Sequence, residues 1–547
     1  MAVYDLIGLG FGPANISIAI ALVDQWKNDA KTPIQNVLFL EKQSEFRWHP
    51  GMLLPDARMQ IRRVYLKDLA TLRTPTSPFT FLNYLHTHGR LSAFINRGNP
   101  VPTRKEFADY LSWCAEKVQH EGVGVRFGTE VMRLDDDTSS DGESNLIRLT
   151  VRDAATGELS TLLARDVVIS PGGAPHIPRV MRNLFKSTVS VTHAPPVIHS
   201  SSYVLSIDGL LDRCTQDRPL RVAVVGGGQS AAEIVLDLRE RLSQRVVPVE
   251  SGAHQIDMII RKGALRPSDD SPFTNEIFDP SSTQMWFDFG DNVRAARLRE
   301  YRATNYAVVN PRTLETLYEI VYDQKVDDGA AFRGIKVSGG ARLNILPYST
   351  VIAASTRSSG EAPVRLLIHS AYGRSRAGER AYDIVVCATG YERAGWIRLL
   401  LGEGDKDAVA TEISGERVLP PLASRFGLHP GIERVQLVPH IPTPPQPVSD
   451  PSSGPSSPES DELATPLSSF GDLKVLDAKL KKSEEVVRLG ITRNYCLIPA
   501  TSVASSKRES RVYLQGVEET THGLSDSLLS VMSVRAGEVV GDMLNGY

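Results

Sequence analysis

Two strand–glycine-turn–helix units, set far apart in a chain of 547 residues, limit what this sequence can fold into more than any other feature. The first is Tyr4-Asp5-Leu6-Ile7-Gly8-Leu9-Gly10-Phe11-Gly12-Pro13, followed by helical periodicity over residues 16–26. The second is Arg221-Val222-Ala223-Val224-Val225, then Gly226-Gly227-Gly228-Gln229-Ser230, then a helical run over 234–242. A turn of this kind lets the backbone approach a pyrophosphate, whose charge rests on the amides of the helix N-terminus. One such turn is equally a tight bend that needs small residues. Two, each with a following strand, predict an α/β protein with two Rossmann-like dinucleotide-binding domains and a smaller substrate-binding region.

The two units end differently. After the first, the strand Val37-Leu38-Phe39-Leu40 closes on Glu41, a carboxylate placed to hold a ribose diol. The spacing from Gly8 is longer than usual, so residues 24–32 must lengthen the connection. Gly8, Gly10, Gly12, Pro13 and Glu41 are read as an FAD site. After the second, residues 256–260 lead into Arg261-Lys262 instead of an acid. Cations there suit a 2′-phosphate, so Gly226, Gly228, Gln229, Ser230 and Arg261 are read as an NADPH site. The plainer reading of the cations is a solvated strand end. Flavin first and nicotinamide second describe a flavoprotein that accepts hydride from NADPH.

Composition narrows what the electrons do next. The four cysteines form no Cys-x-x-Cys pair, which disfavours a disulfide reductase and leaves reaction of reduced flavin with oxygen, a monooxygenase. A formal charge of −3, with 41% hydrophobic and 23% charged residues, predicts neither nucleic acid nor membrane as a partner. Met1 leads straight into an apolar strand pattern, and no leader or bilayer-length stretch is visible, so a cytoplasmic location is expected. The length implies more than one core. The expected division is an FAD-binding part over 1–200, an NADPH-binding part with substrate-binding elements over 201–380, and a return to the first domain over 381–547. Within the last part, 442–466 is rich in Pro and Ser and poor in aliphatics, and is expected to be a disordered insertion.

Longer motifs carry a resemblance. Arg47-Trp48-His49-Pro50-Gly51-Met52, Met59-Gln60-Ile61 and Leu66-Lys67-Asp68-Leu69-Ala70-Thr71-Leu72-Arg73 come first. Pro102-Thr103-Arg104, Asp269-Asp270-Ser271-Pro272-Phe273-Thr274-Asn275-Glu276, Thr304-Asn305-Tyr306, Ala388-Thr389-Gly390-Tyr391 and Thr521-His522-Gly523-Leu524-Ser525-Asp526 follow. Together they resemble the lysine/ornithine N-monooxygenase family nearly end to end, and its fungal ornithine members most. Taken singly, Lys67 would be a surface cation, Asn275 a helix cap, Trp48 a core aromatic and His49 a loop residue.

The resemblance implies that Lys67, Asn275 and Asn305 hold the amino-acid head group of L-ornithine, with Ser525 near both substrate and flavin. It implies flavin-side positions for Trp48, His49, Gln60 and Arg104, and an NADPH contact for Arg261. It also implies the reaction: NADPH, molecular oxygen and L-ornithine give N5-hydroxyornithine, NADP⁺ and water through a flavin C4a-hydroperoxide, for hydroxamate siderophore synthesis. No residue is singled out as an acid–base catalyst. The assembly implied is a homotetramer. The sequence departs from the family pattern at Arg62-Arg63-Val64-Tyr65, which lengthens the connection between Gln60 and Lys67. Lysine or another amine as substrate, and a flavin-binding paralogue without catalysis, are the competing readings.

Overall fold

The computed structural model describes residues 2–60, 66–138, 145–186, 196–214, 217–245, 247, 252–335, 340–356, 363–371, 377–402, 419–430, 432, 434–441, 486–500 and 509–546. The stretch 62–65 and the Pro/Ser-rich run 442–466 therefore lie outside the described residues.

The first strand, Val3–Leu9, buries Leu6 and Ile7 completely on opposite sides, the signature of a parallel strand covered on both faces. It pairs in parallel with Val37–Leu40 on one side and with Leu159–Ile169 on the other. Gly124–Arg126 extends the sheet beyond Val37–Leu40. Thr129–Thr138 pairs antiparallel with Asn145–Asp153. Leu159–Ile169 divides its remaining edge: residues 159–164 take Asn145–Asp153, and Asp166–Ile169 take the C-terminal strand Arg511–Leu514 in parallel. The end of the chain thus returns to the strand that neighbours the first glycine turn. The helix Pro13–Asn28 carries the extra length foreseen in the connection, since it continues past Asp24 for another turn.

The second sheet is wholly parallel, in the order Arg342–Leu346, Gln255–Ile259, Arg221–Val225, Ile384–Cys387, Val197–His199. It draws one strand from before residue 200 and one from after 380, so the domain is wider at both ends than the expected 201–380. Ile384–Cys387 is buried at every position and has no polar alternation to declare which sheet it joins. A three-stranded antiparallel meander, Ser349–Thr356, Val364–Ser370 and Gly378–Tyr382, lies between Arg342–Leu346 and Ile384–Cys387 in the chain.

Between Gln255–Ile259 and Arg342–Leu346 the chain inserts helices that do not belong to the nucleotide-binding layers, among them Thr283–Asp288 and Asp291–Asn305. They close around Trp286 in a small core with Phe278, Leu298 and Leu524. Leu524 comes from the C-terminal part, so this cluster fastens the insertion to the first domain. No helix among the described residues is long and apolar enough to cross a membrane.

Candidate active site

In the first turn each glycine is required for a different reason. A Cβ on Gly8 would stand 2.2 Å from the Phe39 ring, and one on Gly10, at φ +82°, would meet the Ser170 carbonyl oxygen at 2.7 Å. A Cβ on Gly12 would meet nothing within 4 Å. Gly12 also caps the helix Pro13–Asn28 without any side-chain bond to its amides. The turn is therefore packed from behind and open in front, which fits a pyrophosphate lying on the helix N-terminus. Glu41, 8% exposed, braces it from the next strand. Its Oε2 accepts from Phe11 N at 2.9 Å and its Oε1 from Gln43 N at 3.0 Å. Each oxygen has a further lone pair for a ribose hydroxyl. From beneath, Asn15 Nδ2 donates to the Gly10 carbonyl at 2.7 Å.

The second turn repeats the plan. Gly226, at φ +148°, would bring a Cβ within 2.2 Å of the Ala388 carbonyl oxygen. Gly228 caps the helix Gln229–Ser243 with no side-chain bond, and Ser230 is half-buried in the helix's first turn. Beyond Gln255–Ile259, Arg261, Lys262 and Arg266 form one cationic patch. The Lys262 pKa is held below that of an ordinary lysine, first by burial and then by the charges of Arg266 and Arg261. Three like charges gathered at a strand end suit a dianionic phosphate.

A side-chain chain connects the two halves. Arg104, at the start of the helix Arg104–His120, forms a two-pronged pair with Glu233 at 2.7 and 3.1 Å. The two side chains are 14% and 10% exposed. Glu233 also accepts from Gln229 Nε2 at 2.8 Å, and Gln229 Oε1 accepts from Asn310 N at 2.7 Å. Burial raises the Glu233 pKa, opposed by Arg104 and Gln229. Gln229 and Arg104 thus meet each other's domain through Glu233.

The remaining flavin-side candidates line the same region. His49 has φ +46°, and its ring lies 5.2 Å from Trp48 and 6.0 Å from Tyr391. Loss of solvation among its neighbours, then the Arg104 charge, lowers its pKa. Trp48 packs on Phe107 at 6.0 Å. Gln60 is exposed, just beyond the Met59 N to Pro102 O bond that joins its segment to the start of the Arg104 helix.

The head-group candidates are gathered by their supporting elements. Asn275 sits inside the helix Pro272–Glu276, capped by Ser271, with Nδ2 bonded to the Asp270 and Ser271 carbonyls at 2.7 and 3.1 Å. Residues 266–269 are stitched to 304–309 by Val309 N to Arg266 O and Ser268 N to Val309 O, both 2.8 Å. Asn305 ends the helix Asp291–Asn305, and its neighbour Tyr306 donates to Glu519 Oε2 at 3.1 Å. Six residues beyond Glu519, Ser525 is 2% exposed in the turn Leu524–Ser527. Gly523 makes that approach possible: a Cβ there would lie 2.7 Å from the Trp286 ring.

Lys67 is placed somewhat apart. It lines a cleft of about 410 Å³ with Asp279, Ser281, Arg493, Val534 and Glu538. Asn275, Asn305 and Ser525 are not in that wall, although Asp279 lies one turn beyond Asn275. Burial lowers the Lys67 pKa and the Asp279 charge opposes that. Arg493 and Glu538 are paired with each other at 3.0 and 2.8 Å. Sequence reasoning assigned no role to Glu233 or Asp279. The Gln229/Glu233 spacing marks one helix face, but the partner, Arg104, is too distant in sequence for any local pattern to reveal it.

Comparison with known proteins agrees with this geometry. The profile of the L-lysine 6-monooxygenase/L-ornithine 5-monooxygenase family matches residues 2–393. The L-ornithine N(5)-monooxygenase of Coprinopsis cinerea is 45% identical, over 100% of this chain and 98% of that one. The solved ornithine hydroxylase of Pseudomonas aeruginosa superposes with a TM-score of 0.70 at 33% identity, covering 100% of both chains. The Kutzneria sp. 744 ornithine N-hydroxylase, in complex with reduced FAD, NADP⁺ and L-ornithine, gives a TM-score of 0.68 at 29% identity over 99% of each. Two complete dinucleotide turns, a helical region inserted after the second and a match of this extent lead to one conclusion: the chain belongs to the L-lysine 6-monooxygenase/L-ornithine 5-monooxygenase family.

Proposed function

We propose that this chain is an FAD- and NADPH-dependent L-ornithine N5-monooxygenase, supplying N5-hydroxyornithine for hydroxamate siderophores. The observation that carries the reading is the pair of complete dinucleotide turns joined through Arg104 and Glu233. In this reading Gly8, Gly10, Gly12, Pro13 and Glu41 hold FAD, with Trp48, His49, Gln60 and Arg104 on its ring side. Gly226, Gly228, Gln229, Ser230 and Arg261 hold NADPH. Lys67, Asn275, Asn305 and Ser525 hold the amino acid. A homotetramer and a cytosolic location belong to the same proposal.

When bound, FAD supplies the redox chemistry, taking hydride from NADPH and activating oxygen. The chain's own task is to place an amine. The Lys67 ammonium pairs with the substrate carboxylate, which fixes one end of ornithine. Chain length then sets where the terminal amine falls, and lysine's extra methylene carries its amine out of register. The buried Trp286 cluster behind Asn305 and Ser525 keeps water from this wall of the site.

The test is NADPH oxidation by the FAD-loaded protein with and without L-ornithine, quantifying hydroxylated amine and peroxide together. Product is expected to account for most of the NADPH with ornithine, and for little of it with lysine. NADPH consumption that yields only peroxide with every amine would refute the hydroxylase.

Only the neutral amine has a lone pair to give, and in water it is almost wholly protonated at pH 7. The hydroxylation rate is therefore expected to rise with pH through neutrality. It should fall again at the alkaline end as Lys67 deprotonates, earlier than an ordinary lysine because burial lowers its pKa. A profile flat from about pH 6 to 9 would count against this assignment.

Lys67→Met is expected to lower kcat/KM for L-ornithine by about 10- to 100-fold, the worth of one charge-assisted hydrogen bond. FAD content and NADPH-driven flavin reduction should stay at parent levels. Steady-state kinetics beside a flavin spectrum checks both, and an unchanged kcat/KM would remove Lys67 from the head-group site.

A further inference from the structure

Behind the Ser525 turn lies a charged cluster that none of the roles above uses. Arg535, Asp526 and Glu518 are 1%, 2% and 0% exposed. Arg535 Nη1 donates to Asp526 Oδ1 at 3.0 Å and also to the Asp526 carbonyl. Asp526 Oδ2 accepts from Glu518 N at 2.9 Å, and Glu518 Oε2 from Val517 N at 3.0 Å. One cation faces two acids in a wholly buried setting. Burial, then the Asp526 charge, pushes the Glu518 carboxyl well up, whereas against the cost of burial the Arg535 charge holds Asp526 down. His522, also fully buried, has its pKa lowered to about 4 and adds no charge at pH 7.

Burying such a pair is costly, and apolar residues of similar size commonly give equal or better stability. What sets this pair apart is its continuation. Arg535 Nε donates to Gln515 Oε1 at 3.1 Å, Gln515 Nε2 to Asn15 Oδ1 at 3.2 Å, and Asn15 Nδ2 to the Gly10 carbonyl at 2.7 Å. Four successive bonds therefore run from Asp526, the residue after Ser525, to the turn that cradles the flavin pyrophosphate. The planar guanidinium spans two of them in fixed directions, which an ammonium does not.

We infer that Arg535 is a positioning residue, which locks the Ser525 turn in register with the first glycine turn through Asp526, Gln515 and Asn15. The inference rests on the FAD and ornithine assignments above. Its consequence is that a change at Asp526, which touches no glycine of the turn, is felt in FAD binding.

The experiment compares Arg535→Lys, Gln515→Met and Asp526→Asn with the parent full-length chain. One readout is the FAD dissociation constant from flavin fluorescence, and the other is the share of consumed NADPH recovered as peroxide with saturating L-ornithine. The expected result is FAD affinity weakened at least threefold in all three, with the peroxide share raised at least twofold. Gln515→Met removes the middle link and leaves the Arg535–Asp526 pair intact, so it remains informative if a charge variant fails to fold. Parent-like FAD affinity and peroxide share in Gln515→Met would overturn the inference. A parent that binds FAD but hydroxylates no amine would overturn the functional reading alone, because the FAD titration still reports on the relay.

Discussion

Gly10→Ala is expected to yield a protein that binds no FAD and melts well below the parent, whereas Gly12→Ala should lose FAD affinity and keep its fold. The difference lies in what a methyl group meets. At Gly10 the backbone has φ +82°, and the new Cβ falls 2.7 Å from the backbone oxygen of Ser170. A left-handed residue with a side chain costs on the order of 1–2 kcal/mol before any clash. The clash here is with the end of the neighbouring strand Leu159–Ile169, which cannot yield without disturbing the sheet. Asn15 and Gln515 would be displaced with it, since both bond within this corner. At Gly12 the same methyl points where no protein atom lies within 4 Å, so the apo fold has nothing to accommodate. It enters instead the space assigned to the pyrophosphate, where close backbone approach is the reason for the glycine. Thermal melting of the flavin-free proteins, beside FAD titrations, separates the two effects. Parent-like FAD binding by Gly12→Ala would mean that the pyrophosphate lies elsewhere.

The glycine turns were legible because their physics is local. Strand, turn and helix occupy a dozen consecutive residues, and only glycine satisfies the conformation at Gly10 or the contact at Gly8. The cation patch was legible in part: Arg261 and Lys262 are adjacent in sequence, while Arg266 joins them only through the loop that follows. Strand allegiance was not legible at Val197–His199 and Ile384–Cys387. Such short segments give no periodicity to read, and both sit at the far side of Arg221–Val225. The head-group candidates Asn275, Asn305 and Ser525 came only through family resemblance, because the elements that carry them are joined by Trp286 and Gly523 packing across two distant parts of the chain. The same holds for Arg535, whose helix Met532–Asn545 reads simply as an amphipathic end of chain. A buried charge pair leaves no trace in composition or spacing.

Glu233→Ala is expected to slow NADPH-driven flavin reduction by more than about 10-fold while FAD stays bound, since small misplacements of reacting groups have effects of this size. Glu233 belongs to the second domain's glycine-turn helix and Arg104 to a helix of the first. Their pair is a charged bond between the second glycine-turn helix and the first domain. Both side chains are largely shielded, so solvent screens the interaction little. Removing one partner of a buried pair typically costs roughly 3–5 kcal/mol, mainly because the other charge is left without compensation. In Glu233→Ala the stranded group is the Arg104 guanidinium, which cannot neutralise itself by losing a proton. It would turn toward water, taking the start of the helix Arg104–His120 away from the Met52 carbonyl that Nη1 also holds at 3.3 Å. Gln229 would lose one of its anchors at the same time, loosening the bond to Asn310 N. The double variant Arg104→Met/Glu233→Leu removes both charges and keeps much of the volume, so its melting temperature should exceed that of Glu233→Ala. Its flavin reduction should stay slow, because apolar packing does not restore direction. Anaerobic stopped-flow reduction by NADPH, paired with melting curves, measures both. Parent-rate reduction in Glu233→Ala would show that the two dinucleotide turns keep their relative placement without this pair.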